Sequence, residues 1–153
     1  MPYIDQTRRV GLREPIDQFI STLKEPSQLH EFVMKIALVH QPDSKLAVNA
    51  ELARRERDGQ DITGDINFCI CRLLVGYTKI HEDPKYWKVS LINKVLRKAQ
   101  NGVSNASSWF LPETIERAAA VLDDVKMELY RRYAGPYEDL KCAENGDIMD
   151  DYQ

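Results

Sequence analysis

The chain has 153 residues, 43% hydrophobic and 29% charged, with a formal net charge of −3. That describes one globular domain able to bury a core without disulfides or a structural metal, and the slight acidity excludes a generally basic nucleic-acid-binding protein. No apolar run reaches the roughly 18 residues of a membrane span, Met1-Pro2-Tyr3-Ile4-Asp5 lacks the basic-then-apolar order of a secretory leader, and the odd set Cys69, Cys71 and Cys142 reads as reduced thiols, so the expectation is a cytoplasmic protein without membrane contact.

Apolar residues recur at helical spacing almost throughout, and strand-like alternation is scarce. The first predicted helix, about 12–24, carries the stripe Ile16, Phe19, Ile20 and Leu23 and ends at Pro26. Ser27 is the candidate cap of a second helix with Leu29, Phe32, Val33 and Ile36 on its apolar side, closed by Pro42. A third, about 44–57, has a thin stripe of Leu46, Ala50 and Ala53, and its Arg54-Arg55-Glu56-Arg57 end reads as solvated.

The fourth helix, about 64–81, is apolar on nearly every side, with Asp65, Asn67 and Arg72 as polar exceptions, so it is placed at the centre. After Pro84, a fifth helix over about 85–100 turns Val89, Ile92, Val95, Leu96 and Ala99 inward, and residues 101–109 read as a loop from their Gly, Asn and Ser content. The sixth starts at Pro112 and runs to about Tyr133. Its seam of Ile115, Ala118, Leu122, Val125 and Leu129 suits a partner helix, mainly within the chain and alternatively in a second copy. Gly135-Pro136 reads as a break, followed by a short helix to about Glu144. The expectation is a compact all-α bundle of about five to six helices. It forms a single domain over 1–146, with a disordered acidic tail at 147–153.

Three stretches carry candidate chemistry. Lys94, Arg97 and Lys98, with Trp87 on the same side, offer cations beside an aromatic ring, as phosphate or nucleic-acid contact requires. The competing reading is a solvated basic face paired with the acidic C-terminal region. Arg131, Arg132, Tyr137 and Lys141 offer guanidiniums and a ring that clamp a planar anion; alternatively, Arg132 bonds Glu128 one turn earlier. Glu113-x-x-Glu116 with Glu144-x-x-Asp147 resembles the acidic pairs by which all-helical nucleoside-triphosphate pyrophosphohydrolases hold Mg²⁺. The histidines lie far apart, Cys69 and Cys71 point to different sides of one helix, and no phosphate loop or nucleophile elbow is present, so no metal or cofactor is expected.

Tyr130-Arg131-Arg132-x-x-x-Pro136-Tyr137-Glu138-Asp139-x-Lys141-x-x-Glu144-Asn145-Gly146-Asp147 resembles the C-terminal signature of an uncharacterised family of small bacteriophage and bacterial proteins. Gly64 to Leu74 resembles that family's other signature, with Cys71 where the pattern has threonine. The resemblance covers about residues 61–149 and implies a phage or bacterial setting without a mechanism. The two motifs together predict a lock, in which Glu138 or Asp139 accepts from Arg72 and Asn67 bonds the returning chain. The functional expectation is a non-enzymatic helical binding protein, a phage accessory that self-associates and takes a host protein or a small anionic, nucleotide-like ligand.

Overall fold

The computed structural model describes residues 4–23, 28–39, 46–80, 85–106 and 108–146, with backbone alone at 80, 85–89, 134 and 137. Pro26, Ser27, Pro42, Pro84 and the 147–153 tail lie outside the described residues, as do the side chains of Trp87 and Tyr137. The described residues form eight α-helices and no strand: α1 (Gln6–Arg9), α2 (Arg13–Thr22), α3 (Leu29–Leu38), α4 (Ala47–Arg57), α5 (Thr63–Ile80), α6 (Lys85–Asn105), α7 (Pro112–Leu129) and α8 (Gly135–Asn145). A π turn, Tyr130–Ala134, joins α7 to α8. The all-α expectation holds, and the helix count exceeds five to six. The addition is α1, a single turn capped by the Asp5 carboxylate, while α8 is the short helix expected to end near Glu144.

The predicted stripes of α2, α3 and α5, with Ile92, Val95, Leu96 and Ala99 of α6, form one apolar core, and the side chain of Val89 lies outside the described residues. The central position expected for α5 is observed: it packs on α2, α3 and α7 and has Ile66, Cys69, Ile70 and Leu73 fully buried. The α7 seam packs inside the chain, with Ala118, Leu122, Val125 and Leu129 buried and Ile115 against the core. It therefore presents no apolar seam to a second copy.

Three local readings need correction. The buried face of α4 is Val48, Asn49, Leu52 and Arg55, while Ala50 is exposed. The polar side chains of Asn49 and Arg55 hid that stripe. Asn49 Nδ2 donates to the carbonyls of Lys35 (3.0 Å) and Val39 (3.3 Å), closing the C-terminus of α3. Residues 101–105 continue α6 instead of forming a loop. Gly102 there is an approach point, because a Cβ on it would strike the Met34 side chain of α3.

Gly135-Pro136 does not break the helical path. Proline lacks the N–H that an α-helix would bond four residues back. The π turn shifts the pattern instead, with Gly135 N–H donating to Tyr130 O, and α8 continues from there.

Candidate functional site

Burying nearly all of α5 leaves one strip of it near water. Arg72, Val75, Gly76 and Lys79 follow one another at helical spacing along it, with the buried Phe68 one turn before them. α2 lies on one flank and the α7–π junction on the other, and the space between them is a groove of about 260 Å³. Asp17 of α2, Cys71 of α5, and Leu129 and Arg132 of the junction complete its lining. Gly76 lets α2 come close at one end, since a Cβ there would stand 2.6 Å from Ile20 Cδ1. The floor is apolar, and the Phe68 ring is also covered by the Arg9 guanidinium, 5.4 Å from its centroid.

The polar rim is mostly paired. Arg72 donates from Nε to Asp17 Oδ1 (2.8 Å) and from Nη2 to Oδ2 (2.7 Å), a fork on a carboxylate. The hydrogen bond to Asp17 raises the Arg72 pKa further, so it stays cationic. Arg132 Nε donates to Glu128 Oε1 at 2.8 Å, the pairing expected from their spacing. Lys79 is exposed and forms no ion pair among the described residues. Cys71 is a buried thiol whose Sγ–H donates to Asn67 Oδ1 at 3.3 Å. Burial pushes its pKa up to about 12, which keeps it in the thiol form at neutral pH.

The structure thus divides the sequence-nominated residues. Arg72 and Arg132 line the groove. Arg131 points outward and bonds Glu128, and Lys141 is exposed and bonds Glu144. Lys94, Arg97 and Lys98 stand exposed on α6, and no ion pair joins them to the acidic C-terminal region among the described residues. The predicted lock is not formed: Arg72 is claimed by Asp17, Glu138 accepts from the Tyr130 hydroxyl, Asn67 accepts from Cys71, and Asp139 is exposed. Distance decides this, because α8 continues beyond the π turn and packs against that turn, not against α5. The same continuity separates the two acidic pairs. Glu113 and Glu144 lie roughly 45 Å apart along the helical path, Asp147 lies outside the described residues, and no described cluster of His, Cys, Asp or Glu could hold a metal.

Sequence reasoning missed Asp17 and Lys79. The available signal was the strip Phe68, Arg72, Val75, Lys79, mixed in character on an otherwise apolar helix. It also missed a second polar cluster, at the start of α5. Asp65 is fully buried, with Oδ1 2.8 Å from Arg8 Nη2 and Oδ2 3.2 Å from Arg55 Nη1. Arg55 also donates to the carbonyls of Arg8 (2.7 Å) and Val10 (2.8 Å) and to Glu51 (2.9 Å). This cluster fastens the N-terminal segment to α4 and α5.

A family model described as Domain of unknown function (DUF6899) matches residues 1–106 and 110–148. The chain belongs to this family. No curated protein and no solved structure matches it. The family's description adds no chemistry, so the function of this DUF6899 chain rests on its own residues. No helix among the described residues is long and apolar enough to cross a membrane.

Proposed function

We propose that this DUF6899 protein is a non-catalytic binding protein that holds a small amphipathic anion in the groove between α2, α5 and the α7–π junction. The observation that carries this reading is an apolar floor of Phe68, Val75 and Leu129 beneath a rim with Lys79 as its uncommitted cation. Apolar walls with a few placed polar groups are the usual make-up of small-molecule sites. At about 260 Å³ the groove falls just below the usual range of roughly 300–1,000 Å³, which favours a compact ligand. The reading is supported further by the sequence resemblance, since its two stretches converge here: Phe68, Cys71 and Arg72 from one, Arg132 from the other. That resemblance is also the support for a bacterial cytoplasm, and a phage-encoded accessory, as the setting.

The test is a fluorescence titration with 8-anilinonaphthalene-1-sulfonate, which joins an anion to an aromatic body, alongside native mass spectrometry of gently purified protein. Saturable binding at one site is expected. Val75→Trp, which fills the groove, and Lys79→Glu, which reverses its exposed cation, should each weaken it at least about tenfold, the equivalent of about 1.4 kcal/mol. Binding that survives both substitutions in folded protein refutes the groove as the site.

A further inference from the structure

We infer that the ligand is a carboxylate on an apolar body, and that it takes the Arg72 fork now occupied by Asp17. This rests on the groove reading above and names the chemistry of its ligand.

Charge favours an anion. The lining and its partners contain Arg72, Lys79, Arg131 and Arg132 against Asp17 and Glu128, because Glu128 accepts from both Arg131 and Arg132. Positive charge is therefore in excess, and Lys79 carries it at an exposed position. A small anion reduces that excess.

Geometry sets the headgroup. Arg72 presents Nε and Nη2 side by side, and the group they already hold is a carboxylate, at 2.8 and 2.7 Å. A planar anion with two oxygens reproduces both bonds. Asp17 acts as a stand-in for it, held in place by the fold. The exchange is easy because both partners reach water: the Arg72 side chain is 35% exposed and that of Asp17 is 50% exposed. Asp17 regains hydration when displaced. The incoming molecule gains what Asp17 cannot, contact between its apolar body and Phe68, Val75 and Leu129. Lys79 lies two helical turns from Arg72 on the same strip, so a ligand gripped at Arg72 runs toward it along the floor.

Asp17 therefore competes with the ligand. An exposed ion pair is worth up to about 1 kcal/mol, which limits the competition to about fivefold in affinity.

The experiment uses octanoate as the probe, read by its displacement of bound 8-anilinonaphthalene-1-sulfonate, with 1-octanol as the neutral match. Wild type should bind octanoate in preference to octanol. Asp17→Asn, which keeps the side-chain shape, should tighten octanoate by about two- to fivefold and leave octanol unchanged. Asp17→Ala should do the same if the asparagine variant misfolds. Arg72→Gln and Arg72→Lys should both abolish the preference for octanoate, because neither presents the two-donor fork. If the dye binds at one site but Asp17→Asn leaves octanoate unchanged or weaker, or Arg72→Lys keeps the preference, the inference is overturned while the groove reading stands. If the dye shows no saturable site in any variant, the groove reading falls and the inference with it.

Discussion

Arg54 and Arg55 are neighbours in sequence, and the structure assigns them opposite consequences. Arg55→Met keeps most of the side-chain volume and removes the charge. It leaves the Asp65 carboxylate fully buried, with the Arg8 guanidinium still paired to it. It also strips hydrogen bonds from the carbonyls of Arg8 and Val10, where water can substitute because these two residues are half-buried and exposed. The dominant cost is a buried carboxylate that keeps only Arg8 for compensation, up to about 3–5 kcal/mol. Against a typical total of about 5–15 kcal/mol, that is a large share. With a loss of about 2–4 °C per kcal/mol at this size, the melting temperature should fall by roughly 6–20 °C. Arg54→Met removes ion pairs to Glu51 and Asp58 from a side chain that is 52% exposed, and should leave stability almost unchanged. Urea unfolding followed by circular dichroism measures both. The double variant Arg55→Met with Asp65→Asn should be milder than the sum of its parts by more than about 1.5 kcal/mol. An Arg55→Met cost below about 1 kcal/mol, or strict additivity with Asp65→Asn, refutes the buried-fastener account.

The buried thiols predict alkaline behaviour. Burial raises Cys69 and takes Cys71 to about 12, from an ordinary 9.0. Thiols freed by unfolding ionise first, so the stability they confer is present below pH 9 and declines as pH rises toward 12, by about 1.4 kcal/mol per pH unit for each. The Cys69→Ala, Cys71→Ala pair should flatten that decline in pH-scanned urea titrations, and an unchanged slope counts against it. Iodoacetamide at neutral pH should label the half-buried Cys142 well before the other two, as peptide mapping would show. At acid pH, Glu51 is the relevant carboxylate. The Arg54 hydrogen bond, helped by Arg55 and opposed by desolvation, lowers it from 4.5 to about 2. Its contribution is therefore present above pH 4.5 and lost on acidification toward pH 2, and Glu51→Gln should shrink that loss in thermal melts. Arg72→Ala and Asp17→Ala should couple weakly in a double-variant cycle, while Asp139→Ala should add to either, because the ion pair is formed with Asp17.

Much of the architecture was legible because it is written in apolar period. Ile16 and Ile20, Leu29 and Val33, Ile92 and Val95, and Ala118 and Val125 all bury as their spacing requires. The failures occur where a residue's usual role was overridden by its surroundings. Gly102 looked like a loop residue, yet the absent side chain serves contact with Met34. Pro136 looked like a break, yet the π turn carries the helix past it. Arg55 looked like solvated charge, since composition cannot say which of three nearby arginines turns inward. At the site, Arg72 and Arg132 were picked out by their sequence setting. Asp17 was invisible as a partner because it lies 55 residues from Arg72 and follows Ile16 on an otherwise ordinary amphipathic helix.

The two acid–arginine contacts on α5 show how one kind of bond serves two purposes. Asp65 and Arg72 are seven positions apart, two helical turns, so they lie on similar sides of the helix; Asp65 reaches Arg8 of α1 and Arg55 of α4, and Arg72 reaches Asp17 of α2. What separates them is water. Asp65 is fully buried, so an arginine that leaves it strands a charge in the interior, and the contact is a fastener. Arg72 and Asp17 stand at the mouth of a groove, so either can be released to solvent at small cost, and the contact is exchangeable. A chain that needed both pairs for stability alone would gain little from leaving the second half-exposed above an apolar floor. The placement of the exchangeable pair at the groove mouth, and of the permanent one in the fully buried interior, is the physical reason to look for a ligand at Arg72 and not at Asp65.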